Sequence, residues 1–182
     1  MKPNFALSLS SAGIVLLHRE GDGWAHVGEV PFDADDLDSA LSELRKTALA
    51  LDPQGLRSKI VLPDEQIRYM TIDGKLGDAG VRKALDGATP YAVEDLVYDF
   101  RKRDGETYVA AVARETLEEA EAFAVAHGFA PVAFVAAPAT APYRGEPFFG
   151  RTEAAAALLS PDEAVKREMV LARVDAVPQI DA

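Results

Sequence analysis

The chain has 182 residues and 48% apolar content, enough to bury one good core or two small lobes that share a sheet. Its formal net charge of −11 argues against nucleic acid or an anionic membrane surface as a partner, because both require clustered Lys and Arg. The absence of cysteine excludes a disulfide scaffold and thiolate chemistry. No apolar run approaches the length that crosses a bilayer, so we expect a cytoplasmic chain without direct membrane insertion.

The first thirty residues predict a three-stranded antiparallel meander. Two serines and a Gly-Asp-Gly triplet separate three apolar runs, and such residues favour turns between strands. The predicted strands cover residues 5–9, 13–18 and 24–30.

A helix and a buried strand are predicted next. Leucine and alanine recur at helical spacing over residues 35–51, and Asp33 is available as the cap of that amphipathic helix. The short run 59–62 contains β-branched residues and is closed by Pro63, which predicts a buried strand. We expect this strand to pair parallel to the first one.

Short elements follow in the middle of the chain. We predict strands over 66–73 and 97–103 and a short helix over 80–85. Thr89 and Pro90 predict a second helix, because a capping hydroxyl precedes a proline suited to the first helical position. Asp104-Gly105 predicts a tight hairpin, since both central residues of a primed turn need positive φ.

A strand, a helix and a strand complete the predicted core. The continuous apolar run 109–113 predicts a central core strand that is covered on both faces. Thr116 and Glu119 stand at capping-box spacing for a helix that Gly128 can close, before a last strand over 131–136. The expected division is a core formed by residues 1–63 and 106–150, an inserted lobe at 64–105, and a tail or linker at 151–182.

Three segments in this order carry a resemblance to a known family: VLPDEQIRYMTID, RKALDGATPYAVEDLVYDF and YVAAVARETLEEAEAFAVAHGFAPVAFV. Together they resemble the cytoplasmic actin-like domain of type II secretion protein L and, more remotely, pilus assembly protein M. Residues 90–96 are similar to a proline-led helix of that family, and the resemblance covers roughly residues 5–138. It implies an α/β fold, a ribonuclease-H-like or actin-like mixed sheet with flanking helices and a small inserted α+β lobe.

The same resemblance allows a comparison with nucleotide hydrolysis. Hydrolysing members of the actin superfamily carry an Asp on the first strand, where this chain has Ser8, and a glycine is usual where it has Ser10. A serine hydroxyl is a poorer ligand than a carboxylate for a hard divalent cation. The absent carboxylate also weakens a two-metal nuclease interpretation. We therefore expect no catalytic residues, although a nucleotide-binding actin-like ATPase or a sugar-kinase-like fragment remains the alternative.

The sequence predicts neither a metal site nor a bound cofactor. His18, His26 and His127 are dispersed, without a second ligand at metal-binding spacing. The acidic run 33–38 lacks the glycine and distal glutamate of a calcium loop, so it is best explained as carboxylates at a helix N-terminus. The glycines of residues 74–80 do not have dinucleotide-binding spacing.

Apolar and aromatic residues around residue 90 are the candidate site for a protein partner. Only some of them can face the core, because strand residues alternate, and core packing is the alternative for each one. Phe148 and Phe149 pose the same choice between covering a sheet edge and meeting a partner. The candidate partner-binding residues are Pro90, Tyr91, Val93, Leu96 and Tyr98.

The resemblance implies a partner of one of two kinds. Modules of this family dock a cytoplasmic assembly ATPase or the short cytoplasmic tail of a membrane subunit, so the expected function is a non-catalytic interaction scaffold. The net negative charge favours a partner segment with Lys or Arg. A homodimer, and tethering to the inner membrane through residues beyond this chain, are further alternatives.

Overall fold

A six-stranded sheet and a smaller three-stranded sheet organise residues 1–173, the part of the chain that the computed structural model describes. The strands in this part are β1 (Phe5–Leu9), β2 (Gly13–Glu20), β3 (Gly23–Pro31), β4 (Ser58–Leu62), β5 (Ile67–Asp73), β6 (Leu96–Arg103), β7 (Glu106–Ala113), β8 (Pro131–Ala136) and β9 (Phe148–Arg151). The α-helices are α1 (Leu37–Leu51), α2 (Asp78–Leu85), α3 (Arg114–Ala126) and α4 (Ala155–Leu158). The larger sheet has the order β3-β2-β1-β4-β8-β9, and the smaller has the order β5-β7-β6.

The larger sheet begins with the predicted meander. Strands β1, β2 and β3 pair antiparallel in succession, and β4 pairs parallel to β1. β4 is buried along its whole length and lies between β1 and β8, as expected of a short strand with β-branched residues. Both the meander and the placement of residues 59–62 are therefore confirmed.

Helix α1 begins at Leu37, two residues later than predicted, and ends at Leu51 as predicted. Its cap is Asp36 and not Asp33: the Asp36 carboxylate accepts a hydrogen bond of 3.1 Å from the backbone N–H of Ser39. That bond lowers the pKa of Asp36. Asp33 cannot take this role because it lies in a turn directly after β3.

The small α+β lobe consists of β5, β6, β7 and α2. The β6–β7 hairpin turns at Asp104 (φ 52°) and Gly105 (φ 78°), which confirms the predicted primed turn. Residues 109–113 lie in a central strand, as predicted, but this strand belongs to the lobe sheet and not to the core sheet. Strand β7 is buried on both faces, between the main core and α2, which accounts for its continuous apolar run.

Pro90 does not begin a helix. The Thr89 hydroxyl accepts a hydrogen bond of 3.1 Å from the N–H of Tyr91, as in a turn, and residues Val93–Asp95 form a single 3₁₀ turn before β6. Val93 and Leu96 are both buried in the lobe. The turn at Thr89 and the buried side chains of Val93 and Leu96 therefore fix this short segment in a conformation that does not continue as an α-helix.

Helix α3, in contrast to α1, begins earlier than predicted. It starts at Arg114, directly after β7, and its cap Ala113 provides no side-chain hydrogen bond. Thr116 and Glu119 consequently lie within the helix and do not form a capping box, because no loop separates the strand from the helix. The C-terminal prediction is confirmed, since Gly128 has a φ of 77° just after the helix.

Residues 151–173 pack on the fold and do not form the tail or linker that we predicted from residue 151. Helix α4 packs against β8 through Ala155. Residues 160–173, which we call the strap, have no regular secondary structure and contribute the buried Ala172 to the second face of the larger sheet. Residues 174–182, the rest of the predicted tail, lie outside the described residues.

Phe148 and Phe149 lie in β9, at the edge of the larger sheet, so they cover the sheet edge, the first of the two roles considered above. Phe149 is 6% exposed and belongs to the main core. Phe148 is half-buried and packs against two smaller apolar clusters. Both residues therefore stabilise the sheet.

Candidate functional site

An open groove of about 290 Å³ lies between the lobe and the first turn of α3. Its buried lining comes from Leu96 at the start of β6 and from Ala111 and Ala113 at the end of β7. Its exposed lining includes Arg68 of β5 and Tyr91, which is 44% exposed. The groove thus has an apolar, small-residue interior and a mixed polar and aromatic rim, as binding sites commonly do.

Three of the five predicted partner-binding residues line this groove, namely Pro90, Tyr91 and Leu96. Val93 does not: it is 9% exposed and packs in the lobe core with Val81 and Leu85 of α2. The five residues therefore do not form one continuous patch.

Tyr98 also has a structural position. Its ring packs in the lobe core and stacks on Phe100, with ring centroids 6.4 Å apart. Its hydroxyl donates a hydrogen bond to Asp78 at the start of α2. Burial raises the pKa of Tyr98, and the hydrogen bond to Asp78 raises it further. Tyr98 thus fixes α2 on the lobe sheet.

Sequence reasoning missed several groove residues. Ala111 and Ala113 are indistinguishable in sequence from any other alanine of a buried strand, and Gln66, Arg68 and Thr116 are far from residue 90 along the chain. The only available signal is the presence of two alanines on one face of β7, where larger residues would close the groove.

The groove can accept an extended peptide. β5 is an edge strand of the lobe sheet, so one side of its backbone is unpaired within that sheet. An extended segment can pair with such an edge and insert side chains into an adjacent pocket. The charged residues of the lining, Glu65 and Arg68, are both exposed and are suited to rim contacts.

The first strand and its turn have a compact, self-bonded geometry. Ser8 pairs with Val15 and Val61 within the sheet. The N–H of Ser10 donates to the carbonyl of Gly13 at 3.0 Å, and the N–H of Gly13 donates back at 3.3 Å. The N–H of Ala12 donates to the Ser10 hydroxyl at 3.2 Å. Three backbone donors that a phosphate cradle would use are therefore bonded within the turn itself.

Two of the three histidines, His18 and His127, make contacts that tie elements of the fold together, whereas His26 is exposed on β3. His18 lies 3.3 Å from Asp52, and His127 ends α3 with Asp38 at 3.9 Å. Within residues 1–173, no three His, Asp or Glu side chains lie close enough together to hold a metal ion. In the same residues, no helix is both long and apolar enough to cross a membrane.

No protein-family model matches this sequence, and no curated protein matches it. Solved structures do. The cytoplasmic domain of EpsL, an inner membrane component of the type II secretion system of Vibrio cholerae, superposes with a TM-score of 0.53 at 17% identity. The match covers 78% of this chain and 60% of that one.

A chain of the PilM-PilN type IV pilus biogenesis complex superposes with a TM-score of 0.55, also at 17% identity. That match covers 72% of this chain and 46% of the other, so this chain spans less than two thirds of either protein. At this level of identity the likeness concerns the fold. It confirms the fold expected from the resemblance, the mixed α/β actin-like fold that the EpsL and PilM-PilN structures share.

Proposed function

We propose that this chain is a non-catalytic, actin-like protein-interaction module, the cytoplasmic part of an envelope-associated assembly protein of the secretion or pilus kind. The observation that carries the proposal is the open groove beside the exposed Tyr91. The two similar structures support it, because one is an inner membrane component of a secretion system and the other is a pilus assembly complex of two proteins.

The proposed ligand of the groove is a short, extended cytoplasmic tail of a membrane subunit. Its backbone pairs with the free edge of β5, and an apolar side chain enters the space above Ala111 and Ala113. The net charge of −11 favours a tail that bears Lys or Arg, and screening by salt should weaken the association. A cytoplasmic assembly ATPase is the second candidate partner.

A photo-crosslinking residue at position 91 tests this proposal in the native host. It should capture the cytoplasmic tail of a membrane protein, which mass spectrometry of the crosslinked peptide identifies. The matched control is the same residue at position 125, because Val125 is 50% exposed but lies on α3 outside the groove lining. Capture of the same species at both positions, or of none at position 91, contradicts the groove assignment.

The captured tail, made as a peptide, allows a quantitative prediction. Tyr91→Ala should weaken its binding at least about tenfold, since an aromatic residue at a groove rim commonly anchors a ligand. Val125→Ala should leave binding unchanged. Fluorescence polarisation measures both affinities, and circular dichroism verifies that each variant is folded.

The alternative function, nucleotide binding, gives a separate prediction. Titration calorimetry with magnesium and ATP should detect no binding at submillimolar concentration, because the backbone donors of the Ser10–Gly13 turn are already bonded and Ser8 replaces a carboxylate. A micromolar dissociation constant would favour the ATPase alternative. Ser8→Asp would then be the informative next variant.

A further inference from the structure

The second face of the larger sheet carries a buried basic site. Lys59 of β4 is 1% exposed, and its ammonium group lies 2.7 Å from Glu146 and 2.9 Å from Glu168 of the strap. Arg19 of β2 binds Glu168 through both terminal nitrogens, at 2.6 and 2.8 Å. A single strap carboxylate therefore joins two cations that belong to different strands of the sheet.

Trp24 of β3 forms the base of this site. It lies directly opposite Arg19 in the β2–β3 register. The Arg19 guanidinium is 4.4 Å and the Lys59 ammonium 4.8 Å from the indole ring centroid, both within the range of cation–π attraction. Trp24 is 7% exposed, and its indole N–H has no acceptor among residues 1–173. Buried indole N–H groups usually have a partner, so the strap leaves one donor of this site unused.

The strap is attached mainly through side chains. Among the described residues, two hydrogen bonds join its main chain to main-chain groups of the rest of the fold: the N–H of Glu146 donates to the carbonyl of Glu168 at 2.9 Å, and the N-terminal ammonium of Met1 donates to the carbonyl of Ala164 at 2.8 Å. The N–H of Glu168 also donates to the Glu146 carboxylate at 3.0 Å. Arg167 binds Asp99 of β6, and Arg173 donates to the carbonyl of Pro138. Segments with few main-chain bonds to their surroundings open more readily than central strands.

The buried ionic cluster holds the strap on the sheet no better than apolar packing would. Charged groups lose their hydration on burial, and apolar residues of similar size are often at least as stabilising. The sheet nevertheless presents Lys59 and Arg19 where Val61 and Leu17 of the same face are apolar. Such a surface is suited to the reversible binding of a carboxylate.

We infer that Arg19, Lys59 and Trp24 form a carboxylate-binding site, and that the strap is its displaceable occupant. The partner it fits is an extended acidic segment with a glutamate between apolar residues, as Glu168 stands between Val165 and Ala172. None of the three site residues lines the groove, so the inference does not depend on the proposed function.

Hydrogen exchange on the unmodified 182-residue chain is the first test. The amides of residues 162–173 should exchange at least about 100-fold faster than those of residues 59–62 in β4. Equal protection of the two segments would mean that the strap opens only when the whole fold opens, and would overturn the inference.

A peptide with the sequence of residues 160–173 provides the second test. The binding protein in this test is the 182-residue Glu168→Gln variant. The peptide with the natural Glu168 should bind this protein at least about tenfold more tightly than a second peptide that carries Glu168→Gln, because only the natural peptide supplies the carboxylate. Equal affinities would show that the carboxylate is not recognised and would refute the inference. If the variant protein does not fold, as judged by circular dichroism, the exchange experiment decides alone.

Glu163→Gln is the matched control variant. Glu163 is the other glutamate of the strap, but its carboxylate binds the backbone and hydroxyl of Ser160 and makes no contact with the basic site. Strap exchange in Glu163→Gln should stay within about twofold of the wild-type rate. Glu168→Gln should raise strap exchange, because the strap loses the carboxylate that Arg19 and Lys59 bind. An equal rise in Glu163→Gln would show that the loss of either strap charge has this effect, and would contradict specific recognition of Glu168.

Discussion

Replacing Lys59 with methionine should lower the free energy of unfolding by about 3–5 kcal/mol, the usual cost of removing one partner from a buried ion pair. Lys59 and Glu146 are each 1% exposed, with 2.7 Å between the ammonium and the carboxylate. Methionine fills a similar volume, so the loss arises from the carboxylate left without its cation. Urea denaturation followed by circular dichroism measures it.

Two further variants isolate the electrostatic cause. Lys46→Met removes an exposed lysine that pairs with Glu43 at 3.4 Å, and should cost less than about 0.5 kcal/mol. The double variant Lys59→Met/Glu146→Met removes both members of the buried pair, and should recover most of the stability lost in the single variant. A double variant as unstable as the single one would show that the loss is due to packing.

The cost of Lys59→Met should fall as the pH falls. Burial raises the pKa of Glu146, and Lys59 only partly opposes this effect, so removing Lys59 raises that pKa further. A carboxyl group whose pKa is raised by folding contributes most stability when protonated, and the contribution is lost as the pH rises through the folded-state pKa. The variant should therefore differ less from the wild type at about pH 4 than at pH 7.

The titration of Glu168 also reduces the stability difference between the wild type and Lys59→Met as the pH falls. Burial raises its pKa, but the hydrogen bonds from Arg19 and Lys59 outweigh burial and leave the pKa below its usual value. A lowered folded-state pKa gives stability above the unfolded-state value that is lost as the pH falls through the folded-state pKa. The wild type thus loses this contribution in acid, which reduces the difference in free energy of unfolding between the wild type and Lys59→Met.

Five strands of the larger sheet, β1 to β4 and β8, could be predicted because their signals are local, whereas β9 was not predicted as a strand. The turn residues between β1, β2 and β3 and the short apolar run of β4 specify strands without reference to distant parts of the chain. The assignment of β7 needed more, because an apolar run indicates burial on two faces and does not indicate which sheet contains it. Only the pairing with β5 and β6 resolves that question.

The strap could not be predicted because its contacts are specific and distant. Lys59 and Glu168 are 109 residues apart, and no periodic pattern marks residues 160–173. The prediction of a helix that begins at Pro90 was wrong for a different reason. The Thr89 hydroxyl does accept a backbone N–H as expected, but in a turn, since the same local signal serves turns and helix caps. The groove was therefore found in part, through Pro90, Tyr91 and Leu96, without its alanine interior.

Replacing Gly13 with alanine should destabilise the fold by about 3 kcal/mol, through a steric clash that the backbone cannot relieve. Gly13 begins β2 with a φ of 153° and pairs with Pro31. An added Cβ would lie 2.3 Å from the carbonyl oxygen of Val30 and 2.7 Å from the Cα of Pro31. Glycine at this position is thus explained by the close approach of β3, and not by a phosphate-binding loop.

Gly21→Ala provides the matched comparison, because Gly21 also has a positive φ, of 57°, but no atom lies within 4 Å of an added Cβ. It should cost only about 1 kcal/mol, the penalty of the left-handed backbone alone. Chemical denaturation of both variants measures the difference. Similar losses at the two positions would mean that Val30 and Pro31 can move away, and the close packing of β3 on the first turn would then not be what requires a glycine at position 13.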